Sequence, residues 1–164
     1  MDGAQKFLSL LEALARHQVE FIVVGGVAAV LEGAPISTFD LDVVYHRTEE
    51  NLPRLLAALG ELEAVYRDPA GRRIKPDASR LATIGNHPVH TKFRPLDVLH
   101  TIGDGLTYSD LLSRTRERQV GDVVVRVLDL AAVIESKEQA NRDKDRAALP
   151  VLRQTLRLRG ASLL

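Results

Sequence analysis

The chain has 164 residues, 45% apolar and 27% charged, the balance of a soluble globular protein with one sizeable core. It contains no cysteine, which excludes disulfide scaffolds, cysteine-based zinc sites and thiol catalysis. No apolar run approaches the ~20 residues that span a bilayer, and MDGAQKFLSLLEALARHQ lacks a signal peptide's layout, so the expected location is cytoplasmic.

In chain order, Phe7, Leu10, Leu11 and Leu14 recur at helical spacing and predict an amphipathic helix over 3–17. VEFIVV, residues 19–24, is β-branched and apolar, a buried strand that runs into Gly25-Gly26. VAAVLEG, residues 27–33, reads as a helix stopped by Gly33. FDLDVVY, residues 39–45, is a second strand, and Thr48, Glu49 and Glu50 cap and open a helix over 48–60. Short strands are expected at 63–67 and 81–84, separated by the basic loop DPAGRRIKPDAS, with His87 and His90 flanking Pro88 in a loop. PLDVLHTI, residues 95–102, predicts a strand, followed by a turn at Asp104-Gly105, a short helix over 108–112 and a strand over 123–128. Two helices, about 129–140 and 143–157, close the chain. The alternation of elements predicts an α/β (α+β) fold, a mixed sheet with helices packed on it and a C-terminal helical pair. The whole, 1–164, is expected to form one domain, with its core over about 19–128.

Net charge is zero, but residues 1–66 carry ten acids against four bases, and 67–164 twelve against eighteen. Such polarity suits a site where one half holds cations and the other faces phosphates.

The chemistry concentrates around Asp40 and Asp42. Positions i and i+2 of a strand share a face, so the two carboxylates lie side by side and repel unless a positive charge sits between them. A divalent cation supplies that charge, and hard oxygen ligands suit magnesium. Gly25-Gly26, between a strand and a helix, lets backbone N–H groups approach a phosphate.

The run VGGVAAVLEGAPISTFDLDVV, residues 24–44, resembles the signature of polymerase-beta-type nucleotidyltransferases: a Gly-Gly or Gly-Ser turn, a helix, then a strand bearing Asp-x-Asp. A third carboxylate from a later strand belongs to that pattern, and Asp97 fits the place. VLDLAAVIESKEQANRDKDRAALPVL, residues 127–152, is similar to small bacterial members, with Lys137, Arg142, Lys144 and Asp145 on the matching positions. The resemblance implies a minimal nucleotidyltransferase that moves a nucleotide from a nucleoside triphosphate to an acceptor. It implies magnesium or manganese on Asp40, Asp42 and Asp97, these three as the catalytic carboxylates, and nucleotide contacts from Gly25, Gly26, Thr38, Lys137 and Arg142. RNA or protein is the first expectation for the acceptor, as in toxins of toxin–antitoxin pairs with an antitoxin partner, and a small molecule the next. A non-catalytic nucleotide-binding or interaction module of the same fold is the alternative. Lys144, in the run Arg142-Asp143-Lys144-Asp145-Arg146, is expected to belong to a solvated set of ion pairs.

Overall fold

The computed structural model describes residues 2–162. Seven strands form one sheet in the order β3-β4-β5-β2-β1-β7-β6. The central strands are β1 (Phe21–Val24) and β2 (Leu41–Tyr45), antiparallel to each other. Each has a parallel outer neighbour, β7 (Val123–Leu128) beside β1 and β5 (Leu96–Leu99) beside β2. Antiparallel β4 (His87–His90), β3 (Val65–Tyr66) and β6 (Thr115–Val120) complete the two flanks. The sheet is thus mixed, as expected. All four residues of β1 are buried, as a strand covered on both faces requires.

Helix α1 (Gly3–Arg16) packs on β7 and on α3 (Asn51–Glu61), while α2 (Gly25–Leu31) packs on β1, β2 and α6 (Leu130–Ala140). Helix α7 (Asp143–Ser162) pairs with α6, and Asn141, in the left-handed region at φ 50°, separates the two. Short helices α4 (Ala78–Leu81) and α5 (Tyr108–Leu111) fill the connections. Leu10, Leu14, Ile22, Val23, Leu41, Val43, Val44 and Leu96 are fully buried, each contributing about 1.5–3 kcal/mol of apolar burial.

Local chemistry sets the element ends. Gly33, at φ 99°, follows α2 as the expected stop, with Ala34 N–H bonded back to Ala29. Thr48 Oγ1 accepts from Asn51 N–H at 3.1 Å, the expected cap of α3. The buried Asn51 amide then accepts from Glu20 N–H and donates to the Glu20 and His46 carbonyls, fastening α3 to β1 and β2.

Two expectations are corrected, and one strand was not anticipated. Residues 81–84 are not a strand: Asp77 accepts from Arg80 N–H at 2.8 Å and caps α4, so Leu81 ends a helical turn. His87-Pro88-Val89-His90 is not a loop but β4, in which Pro88 lies opposite Asp97. Residues 115–120 form the edge strand β6, turning at Gly121-Asp122 into β7. Arg116 and Glu117 are exposed, as the charged coat of a sheet edge is, while Arg118 is half-buried.

Glu32, at the end of α2, is fully buried and faces three guanidiniums from two elements. Arg118 reaches it at 2.5 Å and Arg116 at 3.7 Å from β6, and Arg159 at 3.4 Å from α7. Removing one partner of a buried charge network strands the others. Glu32→Ala should therefore cost about 3–5 kcal/mol in denaturant unfolding. Glu138→Ala, in the exposed pair with Arg153, should cost less than ~1 kcal/mol.

Candidate active site

Sheet register brings the motif together. Val24 is paired with Asp42 across the antiparallel β1–β2 ladder, and Asp42 with Asp97 across the parallel β2–β5 ladder. The exit of β1, where Gly25 begins, thus meets the entrances of β2 and β5. Asp40 lies just before β2 rather than within it, and remains partly exposed. Phe39, within the strand expected over 39–45, also lies before β2 and is largely exposed.

Gly25 sits at φ 64°, and a β-carbon there would collide with the Asp42 carboxylate. A β-carbon on Gly26 would come within 2.7 Å of Thr38 Oγ1. The glycine pair therefore allows the first turn of α2 to lie directly against Asp42 and Thr38. Thr38 Oγ1 in turn donates to the Asp40 carbonyl at 3.3 Å, bracing the approach to β2.

Three carboxylates in this space need compensation, and the structure shows its form. Burial first, then a hydrogen bond shared with Asp97, then the charges of Asp97 and Asp40 push Asp42 up to about 7, with Lys144 opposing them. The Asp42 carboxyl is thus raised to where it takes up a proton near neutrality. Arg67, which follows β3, supplies a positive charge to the other two: its Nη1 lies 3.2 Å from Asp97 and 3.8 Å from Asp40. Among the described residues, no group of three or more His, Cys, Asp or Glu side chains is arranged to hold a metal ion as placed.

The C-terminal bases gather around a further buried acid. Asp145 is fully buried and accepts from Arg142 N–H, Nε and Nη2 at 3.1, 2.7 and 3.2 Å. Lys137 Nζ lies 3.5 Å from the same carboxylate. Burial raises the Asp145 pKa, but the Arg142 bonds and the Lys137 charge outweigh it and hold the group below the ordinary range. Lys137 and Arg142 therefore clamp the start of α7 onto α6. Arg142 also lies near enough to Asp42 for that charge to raise its pKa, after the larger effect of Asp145. Lys144, expected to be an ordinary surface residue, is the lysine whose charge reaches Asp42, and it has no ion pair among the described residues. Sequence reasoning passed over Arg67 entirely, because a lone arginine after a two-residue strand carries no motif.

Solved structures of low sequence identity share this architecture. The lincosamide antibiotic adenylyltransferase LnuA, with lincomycin bound, is 13% identical, and the match covers 92% of this chain and 96% of that one at a TM-score of 0.61. The antibiotic-resistance factor ANT(2'')-Ia is 14% identical over 98% of this chain and 94% of its own, at 0.58. The fold is that of the nucleotidyltransferases. A Thermotoga maritima protein assigned to the same class is 14% identical over 89% and 91% of the two chains, at 0.57. No protein-family model matches the sequence, and no curated protein does. Within the nucleotidyltransferase fold, Asp42 and Asp97 stand side by side on the adjacent strands β2 and β5.

The raised Asp42 pKa has a stability consequence of definite sign. The folded chain keeps a proton that the unfolded chain releases near pH ~4, so the contribution is full below that pH and is lost as pH rises towards about 7. Asp42→Asn should raise stability at pH 8 by about 1–3 kcal/mol and change it little at pH ~4, where the unfolded carboxyl still holds much of its proton. Denaturant melts of both proteins at the two pH values check this.

Proposed function

We propose that the protein is a metal-dependent nucleotidyltransferase. The observation that carries this reading is the cross-strand pair Asp42–Asp97, with Asp40 beside it and the Gly25-Gly26 turn against it, within a nucleotidyltransferase fold. The donor set suits a divalent cation: three hard carboxylates share one end of the central strands, and positive charge is already drawn into them through Arg67 and Lys144. Asp40, Asp42 and Asp97 would hold the metal, which when bound stabilises the attacking and leaving oxygens of a displacement at phosphorus.

In that displacement an acceptor hydroxyl oxygen forms a bond to the α-phosphorus of a nucleoside triphosphate as the bond to pyrophosphate breaks. Asp97, partly exposed at the site, would take the hydroxyl proton. Gly25 and Gly26 let the triphosphate approach the backbone closely, and Thr38 stands beside them to meet a phosphate oxygen. Arg142 stiffens the α6–α7 junction, and Lys144 brings a mobile cation from that junction to the phosphates.

A small hydroxyl-bearing acceptor is favoured by one observation: the chain spans almost the full length of LnuA, whose structure contains lincomycin. The chain need not carry a separate acceptor domain for such chemistry. RNA or protein as acceptor, a toxin role and an antitoxin partner form the second reading, supported by the Gly25-Gly26 form of the turn.

Incubation with each labelled triphosphate, magnesium and either a small-molecule extract, RNA or protein should give label transfer in one fraction, and the fraction identifies the acceptor class. Asp42→Asn and Asp97→Asn should each abolish it while the protein stays folded. No transfer in any fraction, with no magnesium-dependent nucleotide binding, would leave the non-catalytic module as the reading.

The two lysines separate cleanly. Lys144→Ala should weaken binding of magnesium and triphosphate by about 1–2 kcal/mol in calorimetric titration, the worth of one charge-assisted contact, with stability unchanged. Lys137→Ala should instead lower stability by about 1–3 kcal/mol, since it removes a partner of a buried carboxylate.

A further inference from the structure

Arg67 makes poor use of its position. Its Nη1 contacts Asp97 at 3.2 Å and reaches Asp40 only at 3.8 Å, its Nη2 meets the Val89 carbonyl at 3.5 Å, and its Nε is buried with no partner. The structural arginines of this protein behave otherwise. Arg118 donates twice to Glu32, at 3.1 and 2.5 Å, and Arg142 donates from Nε and Nη2 to Asp145. A guanidinium with a buried, unbonded N–H and one short contact is under-satisfied, which is costly for a group whose donors normally all find acceptors.

The surroundings leave this side chain free to exchange partners. Its backbone is fixed, with Arg67 N–H donating to the Pro88 carbonyl at 3.1 Å. The adjacent acid, Asp68, does not compete, because Arg72 binds it through N–H, Nε and Nη2. The Arg67 side chain is 28% exposed, so it reaches solvent as well as the carboxylates.

We propose that Arg67 is a phosphate-binding residue of this site, which neutralises Asp40 and Asp97 until metal and triphosphate arrive and then passes from the carboxylates to the phosphates. The proposal rests on the nucleotidyltransferase reading and adds a residue that reading does not contain. A divalent cation among Asp40, Asp42 and Asp97 takes over the charge that Arg67 supplies and repels the guanidinium. A phosphate group offers the planar fork two parallel acceptors, the geometry an arginine matches best. The same side chain thus opposes metal alone and favours metal with triphosphate.

That opposite sign is the test. Manganese binding, followed by loss of its free-ion spin-resonance signal, is measured with and without inorganic triphosphate for wild type, Arg67→Gln and Arg67→Lys. Arg67→Gln should bind manganese alone about tenfold more tightly, and inorganic triphosphate in the presence of manganese about tenfold more weakly. Arg67→Lys keeps the charge but not the fork, so its affinity for manganese alone should stay near wild type while triphosphate binding falls. Affinities that fall together, or do not move, in Arg67→Gln would overturn the role of Arg67. Thermal melts confirm that the variants are folded. Wild-type protein that binds neither manganese nor manganese with triphosphate would instead overturn the reading of the whole site.

Discussion

Three carboxylates crowded onto one end of a sheet are the constraint around which the rest of this structure is arranged. Asp42 and Asp97 are neighbours in parallel register, and Asp40 is two residues from the first. Repulsion at that range is too large to leave uncompensated in a half-buried place. The protein meets it with a proton on Asp42, a guanidinium against Asp40 and Asp97, and a lysine charge from the start of α7. Each of these three is exchangeable. A proton leaves as pH rises, and a long side chain can swing, so the charge can be replaced by another cation without refolding anything.

The buried acids outside this place are treated in the opposite way. Glu32 takes three arginines and Asp145 takes an arginine and a lysine, each acid with one short charge-assisted bond, from Arg118 and Arg142, and longer contacts from the rest. Those networks bind elements together: Glu32 joins α2 to β6 and α7, and Asp145 joins the two C-terminal helices. A protein able to satisfy two buried carboxylates so fully has left three others under-compensated. Strain of that kind, retained at one place against a well-satisfied background, is the usual mark of a site kept for function at the expense of stability.

Much of the frame was legible from residue order alone. The β-branched run ending in Gly25-Gly26, the Gly33 stop, the Thr48 cap and the break before Asp143 all rest on local chemistry, and each element lies close to its expected span. The failures have local causes too. β6 reads as TRERQV, too charged for a buried strand, because an edge strand needs only one partner and faces water. β4 contains Pro88, which normally demotes a strand, yet it pairs on both sides. LATI has strand-like residues, but the Asp77 cap upstream wins, leaving Leu81 buried and Ile84 exposed. Asp40 and Asp42 stand out by spacing and Asp97 through the family resemblance, whereas Arg67 stands out by neither, since its meaning arises only when β3, β4 and β5 are laid side by side.

The division of labour between Lys137 and Lys144 follows from the same geometry. Both lie in the stretch that the family resemblance singles out, and the resemblance favours Lys137 for the nucleotide. Burial distinguishes the two. Lys137 faces a fully buried Asp145, and an ammonium held there by a carboxylate at 3.5 Å is committed to joining α6 with α7. Lys144 sits on the exposed side of the first turn of α7, where no acid among the described residues claims it, and its charge is felt by Asp42. A triphosphate approaching three acids meets repulsion unless cations come with it or wait for it. An unclaimed lysine and a loosely held arginine are two cations kept in reach of it among the described residues. The firmly paired Lys137 and Arg142 hold in place the helix from which one of them acts.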